Sequence, residues 1–439
     1  MKVLKFGGTS VGSAQRMKDV AKLICDGRKK IVVLSAMSGT TNTLVEISDY
    51  LYKKNPVSAN EVINHLDAKY QKVIDELYQK ESTKQQARET LKTNFDLLRS
   101  FTKSAIFTLF EEKSILSQGE LMSTAMVNLY LQEQGEKSVL LPALEYMRID
   151  KNGEPDSAYI REHLQKELAK LPDDTVIYIT QGFICRNAYN EVDNLQRGGS
   201  DYTASLVGAA VKAEEIQIWT DIDGMHNNDP RFVEGTKPVA KLNFEEAAEL
   251  AYFGAKILHP TCIQPAKLEG IPVRLLNTMD PQAPGTLISN EMIRHQIKAV
   301  AAKDNITVIK IKSGRMLLAY GFLRKVFECF ESNKTSIDMI TTSEVGVSIT
   351  IDNTKHLDEI VNELKKFGTV TIDKDMVIIC VAGDMDSGNV GFQAKVVNAL
   401  AEVPVRMISY GGSNYNVSFV VKAEDKVRAL QALSAHLFN

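Results

Sequence analysis

The chain has 439 residues, 44% of them hydrophobic and 24% charged, with a net charge of −3. That length exceeds one ordinary domain and predicts two or three. The near-neutral balance has no block of like charges, which excludes a nucleic-acid partner or an anionic membrane surface. No apolar stretch reaches membrane-spanning length. The first strand begins at once, so no leader is expected. Five scattered cysteines without a C-x-x-C predict reduced thiols in a cytoplasmic protein. Seven histidines without ligand spacing predict no metal site.

Met1 to Gly12 reads as a strand, Val3 to Phe6, entering a tight turn at Gly7-Gly8, with a helix opening near Ser13. Paired glycines allow backbone N–H groups close to a ligand, a helix start favours negative charge, and Lys5 adds a cation. Neither a GxxxxGK[ST] nor a GxGxxG spacing is present. Helix 13–27 and the apolar run Ile31 to Leu34 complete a β-α-β start, which predicts a parallel sheet covered by helices. The loop Ser35 to Asn42 is rich in small and hydroxyl residues, and it follows a strand end, where ligands of such sheets sit. Residues 43 to about 134 are largely helical, with a polar helical insertion or lid over about 50–130. Glu120 is expected near the start of a helix spanning 118–134, either as a first-turn helix-dipole carboxylate or as an acceptor for a ligand ammonium group.

Ser138–Leu141 and Val176–Thr180 read as strands. A second Gly-Gly pair, Gly198-Gly199, opens a small-residue helix behind Arg197, whose guanidinium suits a carboxylate or phosphate. Asp201 lies in that helix's first turn. Strand Ile216–Thr220 leads into a turn-rich loop, Asp221 to Arg231, with the lone Trp219 expected in the core. Asn243-x-x-Glu246 has the form of a capping box. Strands Val273–Leu276 and Gly285–Ile288 close a first domain near residue 290.

The remaining chain, 291–439, contains an internal repeat. Gly321-Phe-Leu-Arg-Lys-Val326 recurs as Gly391-Phe-Gln-Ala-Lys-Val396. Ile337-Asp-Met-Ile340 recurs as Val405-Arg-Met-Ile408. Each copy predicts a βαββα(β) unit on an antiparallel sheet, about 306–370 and 371–439.

Taken in order, Lys5-Phe-Gly-Gly-Thr-Ser-Val11, Gln118-Gly-Glu-Leu121, Arg197-Gly-Gly-Ser-Asp-Tyr-Thr203, Trp219-Thr-Asp221, Asp229-Pro-Arg231 and Phe253-Gly-Ala-Lys-Ile-Leu-His-Pro260 closely resemble aspartate kinase. The C-terminal repeat, with Thr341-Thr-Ser-Glu-Val345, resembles the paired ACT domains of that family. The length resembles the monofunctional, lysine-sensitive type. The resemblance implies an α/β amino-acid-kinase fold for 1–290 and tandem ACT domains beyond it. It implies ATP-dependent phosphorylation of the aspartate β-carboxylate, an early step of amino-acid biosynthesis, under feedback control. By family pattern Lys5, Gly7 and Gly8 hold the transferred phosphoryl group. Thr41, Glu120, Arg197, Gly198, Gly199 and Ser200 hold aspartate, and Asp201 organises the catalytic lysines, Lys5 and Lys256. Thr220, Asp221, His226, Arg231, Lys256 and Ile257 hold the nucleotide, His226 standing where the family usually has tyrosine. Mg²⁺ is expected on the ATP phosphates. The effector, lysine with threonine as competitor, is expected at Met316, Tyr320, Gly321, Phe322, Leu323, Asp338, Ser343 and Glu344. That site lies in a homodimer formed through the ACT domains, with a tetramer as the alternative. Two other readings compete: the same fold acting on another acceptor such as glutamate, and a non-catalytic amino-acid sensor.

Overall fold

The computed structural model describes residues 1–195, 198–255, 258–314 and 320–438. It contains two compact units, Met1–Met225 with Leu258–Asn290, and His226–Ile257 with Glu291–Asn439. Chain order would group 226–257 with the first domain; its packing groups it with the second.

In the first unit the early strands are β1 (Lys2–Phe6), β2 (Lys30–Leu34), β3 (Ser138–Leu140) and β4 (Ile177–Gln181). A small hairpin follows, β5 (Ile184–Arg186) with β6 (Val192–Asn194), and then β7 (Ile216–Thr220). Strand β8 (Lys241–Asn243) falls in the second unit; β9 (Val273–Asn277) and β10 (Thr286–Ser289) complete the first. The sheet order in this unit is β3-β4-β2-β1-β7-β9-β10, parallel throughout except for the β9–β10 pair. Strand β2 is buried at every position, as expected for a strand covered on both faces. Parallel pairing puts the carboxyl ends of β1, β2, β4 and β7 on one edge, and the loops that follow them share that edge.

The helices of this unit are α1 (Ala14–Ile24), α2 (Thr40–Tyr52), α3 (Pro56–Leu77), α4 (Glu81–Phe101), α5 (Leu109–Glu133), α6 (Ser157–Ala169), α7 (Gly199–Val211) and, after the return of the chain, α9 (Gln264–Glu269). The polar insertion is α3 and α4, and it is no detached lid. Ala59, Ile63, Leu66, Tyr70, Val73, Ile74 and Leu77 recur at helical spacing and join one core with Leu34, Leu44 and Met126. Its charges cover the outer face only. Helix α5 runs through the position expected for a helix start, so Glu120 is not in a first turn. It sits mid-helix among fourteen buried residues, 4% exposed. Apolar and small residues surround nearly the whole α5 circumference there, which hides the helix's true beginning from a periodicity reading.

Gly285 closes the β9–β10 turn at φ +66°, and a Cβ there would lie 1.9 Å from the Leu275 carbonyl oxygen. Gly285→Ala is therefore expected to destabilise this unit by about 2 kcal/mol or more, because both the left-handed backbone and the clash with main chain act together. Thermal denaturation should show a fall of several degrees; an unchanged midpoint would contradict this packing.

In the second unit, α8 (Phe244–Tyr252) begins with the expected capping box, Asn243 Oδ1 accepting from the Glu246 N–H and Glu246 Oε2 accepting from the Asn243 N–H. The remainder is one antiparallel sheet, ordered β12 (Ile340–Ser343), β13 (Gly346–Ile351), β11 (Ile297–Lys312), β14 (Thr369–Gly383), β16 (Asn416–Lys422), β15 (Met407–Tyr410). Helices α10 (Phe322–Ser332) and α11 (Leu357–Leu364) cover one core. Helices α12 (Phe392–Ala399) and α13 (Lys426–Leu437) cover another. The repeats are interleaved rather than merely consecutive. The first part of β11 pairs with 376–383 of β14, and its second part pairs with both β13 and 369–373 of β14. Each repeat thus borrows an edge from the other, and β-bulges near 303–308 turn the long strand between the two halves.

Candidate active site

Strand β1 ends at Gly7-Gly8, and neither glycine has a positive φ. Their role is close approach. A Cβ on Gly8 would stand 3.0 Å from the Ala36 carbonyl oxygen, and one on Gly12 would stand 2.9 Å from Ser38 Cβ. The glycine turn therefore packs directly on the loop after β2. Helix α7 opens at Gly198 with φ +70° and no side-chain cap, leaving first-turn N–H groups available for an anion.

These segments enclose a cavity of about 420 Å³ lined by residues that include Gly8, Thr41, Glu120, Gly199 and Ser200. Five of the residues expected to hold substrate or phosphate thus share one cavity, brought from four separate stretches of chain. The loop after β2 contributes Ser35 to Gly39, Thr41 and Asn42 to the lining. Ser35 Oγ donates to Ser200 Oγ at 3.0 Å, tying that loop to the start of α7. Phe183 lines the cavity in a left-handed conformation, φ +68°, with its N–H bonded to Thr203 Oγ1 at 3.0 Å. A Cβ on Gly199 would fall 2.5 Å from the Phe183 ring, so only glycine fits there. Phe183 is not legible as a lining residue, because its backbone conformation has no sequence signal beyond the preceding Gly182.

Lys5 Nζ lies 2.7 Å from Asp201 Oδ1, and both side chains are largely buried, 12% and 16% exposed. The contact is an ion pair rather than a well-directed hydrogen bond. It holds the β1 lysine at the first turn of α7. Glu120 Oε1 accepts from the Ala36 N–H at 3.1 Å, while Oε2 is buried without a partner. Burial pushes the Glu120 carboxyl up to about 8, against the stabilising Ala36 N–H bond. An ammonium group arriving beside Oε2 would satisfy that oxygen and favour the ionised form. Gly7 donates to the Trp219 carbonyl, and Trp219 is 8% exposed as expected for core. Thr220 Oγ1 donates to Asp221 Oδ1 at 3.1 Å at the end of β7. A Cβ on Gly198 would meet Cys262 Sγ at 2.5 Å, which fixes that turn as glycine.

In the second unit, His226 Nδ1 lies 2.8 Å from Thr236 Oγ1. The exposed Arg231 is engaged by Asp229 within its own loop, Nη2 to Oδ2 at 2.6 Å. Of the residues expected to hold an effector, Asp338 is an interior group, its side chain 1% exposed. Lys303 Nζ lies 2.6 Å from Asp338 Oδ1, and Tyr252 Oη donates to the same oxygen at 2.9 Å. Oδ2 is buried and unpartnered, and burial raises the carboxyl's pKa against these two bonds. Tyr320 is fully exposed, Gly321 caps α10 at φ +78°, Phe322 packs into the core beneath it and Leu323 is 37% exposed. Ser343 and Glu344 are exposed beside the end of β12. Arg197, Lys256, Ile257 and Met316 lie outside the described residues.

Comparison with known proteins agrees with this geometry. Residues 1–277 match the amino acid kinase family and residues 379–437 match an ACT domain. Aspartokinase 3, chloroplastic, of Arabidopsis thaliana is 35% identical over 461 residues, covering 100% of this chain and 81% of the relative. Lysine-sensitive aspartokinase 3 of Escherichia coli (strain K12) is 34% identical, covering 100% of this chain and 99% of the relative. The crystal structure of E. coli aspartokinase III in complex with aspartate and ADP (R-state) superposes with a TM-score of 0.83 over the full length of both chains, at 32% identity. With its parallel kinase sheet, interleaved ACT repeats and full-length relatives, the chain is an enzyme of the aspartokinase family.

Proposed function

We propose that the cavity binds L-aspartate and that MgATP phosphorylates its β-carboxylate, giving 4-phospho-L-aspartate. The observation that carries this reading is Glu120, a buried cavity carboxylate with one oxygen unsatisfied. It is matched to an ammonium group, which aspartate has and an N-acylated acceptor lacks. The first turns of α2 and α7, with Thr41, Ser200 and Arg197, supply N–H, hydroxyl and guanidinium donors for the carboxylates. The nucleophile has an ordinary pKa near 3.9 and is already ionised at neutral pH, so no general base is required. Lys5, held by Asp201, neutralises charge on the transferred phosphoryl group together with the backbone of the glycine turn at Gly8. Thr220 and Asp221 form the first unit's share of the nucleotide side in this reading. In this reading the nucleotide is taken as its Mg²⁺ complex.

The test is formation of a hydroxamate-trappable acyl phosphate from aspartate and MgATP by the purified protein. Product with aspartate supports the reading. Product only with another acceptor, or none at all, overturns it.

Regulation follows the same logic. In our reading lysine is the effector, its ammonium group taken by Asp338, in a homodimer formed through the ACT repeats in the cytoplasm. No helix among the described residues is long and apolar enough to cross a membrane. Asp338→Asn keeps the side-chain volume and a hydrogen-bond acceptor for Tyr252 but removes the charge. It is expected to raise the lysine concentration for half-inhibition about tenfold or more, the scale of a charge-assisted hydrogen bond. Undiminished lysine inhibition in that variant would remove Asp338 from the effector site. Threonine, run in parallel, decides the effector's identity.

A further inference from the structure

The loop after β2 forms much of the cavity wall, yet its helix has no cap of its own. Gly39, the N-cap of α2, adopts φ +82° and offers no side-chain bond. What holds the start of α2 comes instead from α3, a helix of the insertion that takes no part in the chemistry described above. Tyr70 is completely buried, and its hydroxyl lies 3.0 Å from the Oγ of Thr40, the first residue of α2 and itself fully buried. One residue earlier on α3, Lys69 Nζ donates to the Ser38 carbonyl oxygen at 2.8 Å. Ser38, Gly39 and Thr41 all line the cavity.

We propose that Tyr70 and Lys69 are positioning residues for the amino-acid subsite. The two contacts bracket Gly39, the one left-handed residue in the loop, and fix the direction in which α2 begins. That direction sets where Thr41 and the unsatisfied first-turn N–H groups stand against an acceptor's carboxylate. A small error there matters, because donors act only when aligned within hydrogen-bond geometry. The insertion is then a fixed clamp on the subsite wall, built from α3. The inference rests on the reading of the cavity as the aspartate subsite.

The test compares steady-state kinetics and melting of the full chain. Tyr70→Phe keeps the ring and removes only the hydroxyl. It is expected to raise the KM for aspartate about five- to twenty-fold, to leave the KM for MgATP within twofold, and to lower the melting temperature modestly because Thr40 loses its partner. Adding Thr40→Val removes that stranded hydroxyl, so melting should recover while the aspartate KM stays high. A lowered melting temperature with an unmoved aspartate KM would show a merely structural role and overturn the proposal, as would return of KM to wild type in the double variant. Lys69→Met, at an exposed position, is expected to raise the aspartate KM two- to fivefold without loss of stability. It decides the matter if Tyr70→Phe does not fold, and an unchanged KM there counts against the clamp. Absence of aspartyl phosphate from the wild type would overturn the functional reading itself. Wild-type activity with indifferent variants overturns only the clamp.

Discussion

Lys5→Met is expected to lower kcat by about 10²–10³, with a much smaller change in the KM for aspartate. That is the scale lost when one preorganised donor to a developing anion is removed. Phosphoryl transfer to a carboxylate places little covalent demand on the protein, so positioning and charge neutralisation carry most of the barrier reduction. Lys5 supplies both. It stands near the end of β1, beside Gly7 of the glycine turn, and Asp201 holds it there at 2.7 Å. The same pairing makes it more than a surface lysine. Removing its charge leaves a largely buried Asp201 alone, which should cost about 1–3 kcal/mol of stability. A second variant separates the two effects. Lys5→Met combined with Asp201→Asn should regain stability and remain slow. Turnover within a few-fold of wild type in Lys5→Met would remove Lys5 from the catalytic apparatus.

Glu120→Gln is expected to raise the KM for aspartate about ten- to a hundredfold, the worth of one charge-assisted hydrogen bond in a buried site. The pH dependence gives a second readout. In the unliganded fold burial lifts the carboxyl from 4.5 to about 8, so near neutrality it is largely protonated. Binding of an ammonium requires the ionised form. The wild-type kcat/KM for aspartate should therefore rise with pH until about 8, and Glu120→Gln should lose that rise. The sign for stability is opposite. A carboxyl whose folded pKa is raised contributes stability fully below its unfolded value near 4.5, and that contribution is lost as pH rises through about 8. Saturating aspartate should offset the loss, so the melting-temperature gain from aspartate should grow across that window. A gain independent of pH, together with an unchanged KM in Glu120→Gln, would reject the ammonium contact.

Much of the molecule is legible in the amino-acid sequence. Continuous apolar runs such as Ile31 to Leu34 announce a parallel sheet, and strand β7 occupies the residues its apolar pattern marks, Ile216–Thr220. The capping box at Asn243 is a local signal, because it is satisfied within four residues of chain. The order of motifs is enough to indicate the family.

Other features have no local cause. Glu120 lies mid-helix rather than in a first turn, since a helix buried nearly all round shows no amphipathic edge to mark its beginning. Its raised pKa comes from what surrounds it, and desolvation is a property of packing, not of composition. The ion pair of Lys5 and Asp201 joins residues nearly two hundred positions apart. Tyr70 reads as one more apolar position on α3 until the fold sets its hydroxyl against Thr40. Asp338, expected at the effector site, is interior and held by Lys303 and Tyr252, contacts that its neighbours in sequence do not announce. The repeat itself was visible, but its interleaving was not, because a strand's partner is chosen across the sheet and leaves no mark in its own period-two pattern. By itself the sequence determined which elements form and which chemistry they carry. Tertiary structure decided which of those groups meet, how dry their meeting place is, and therefore what charge each one holds.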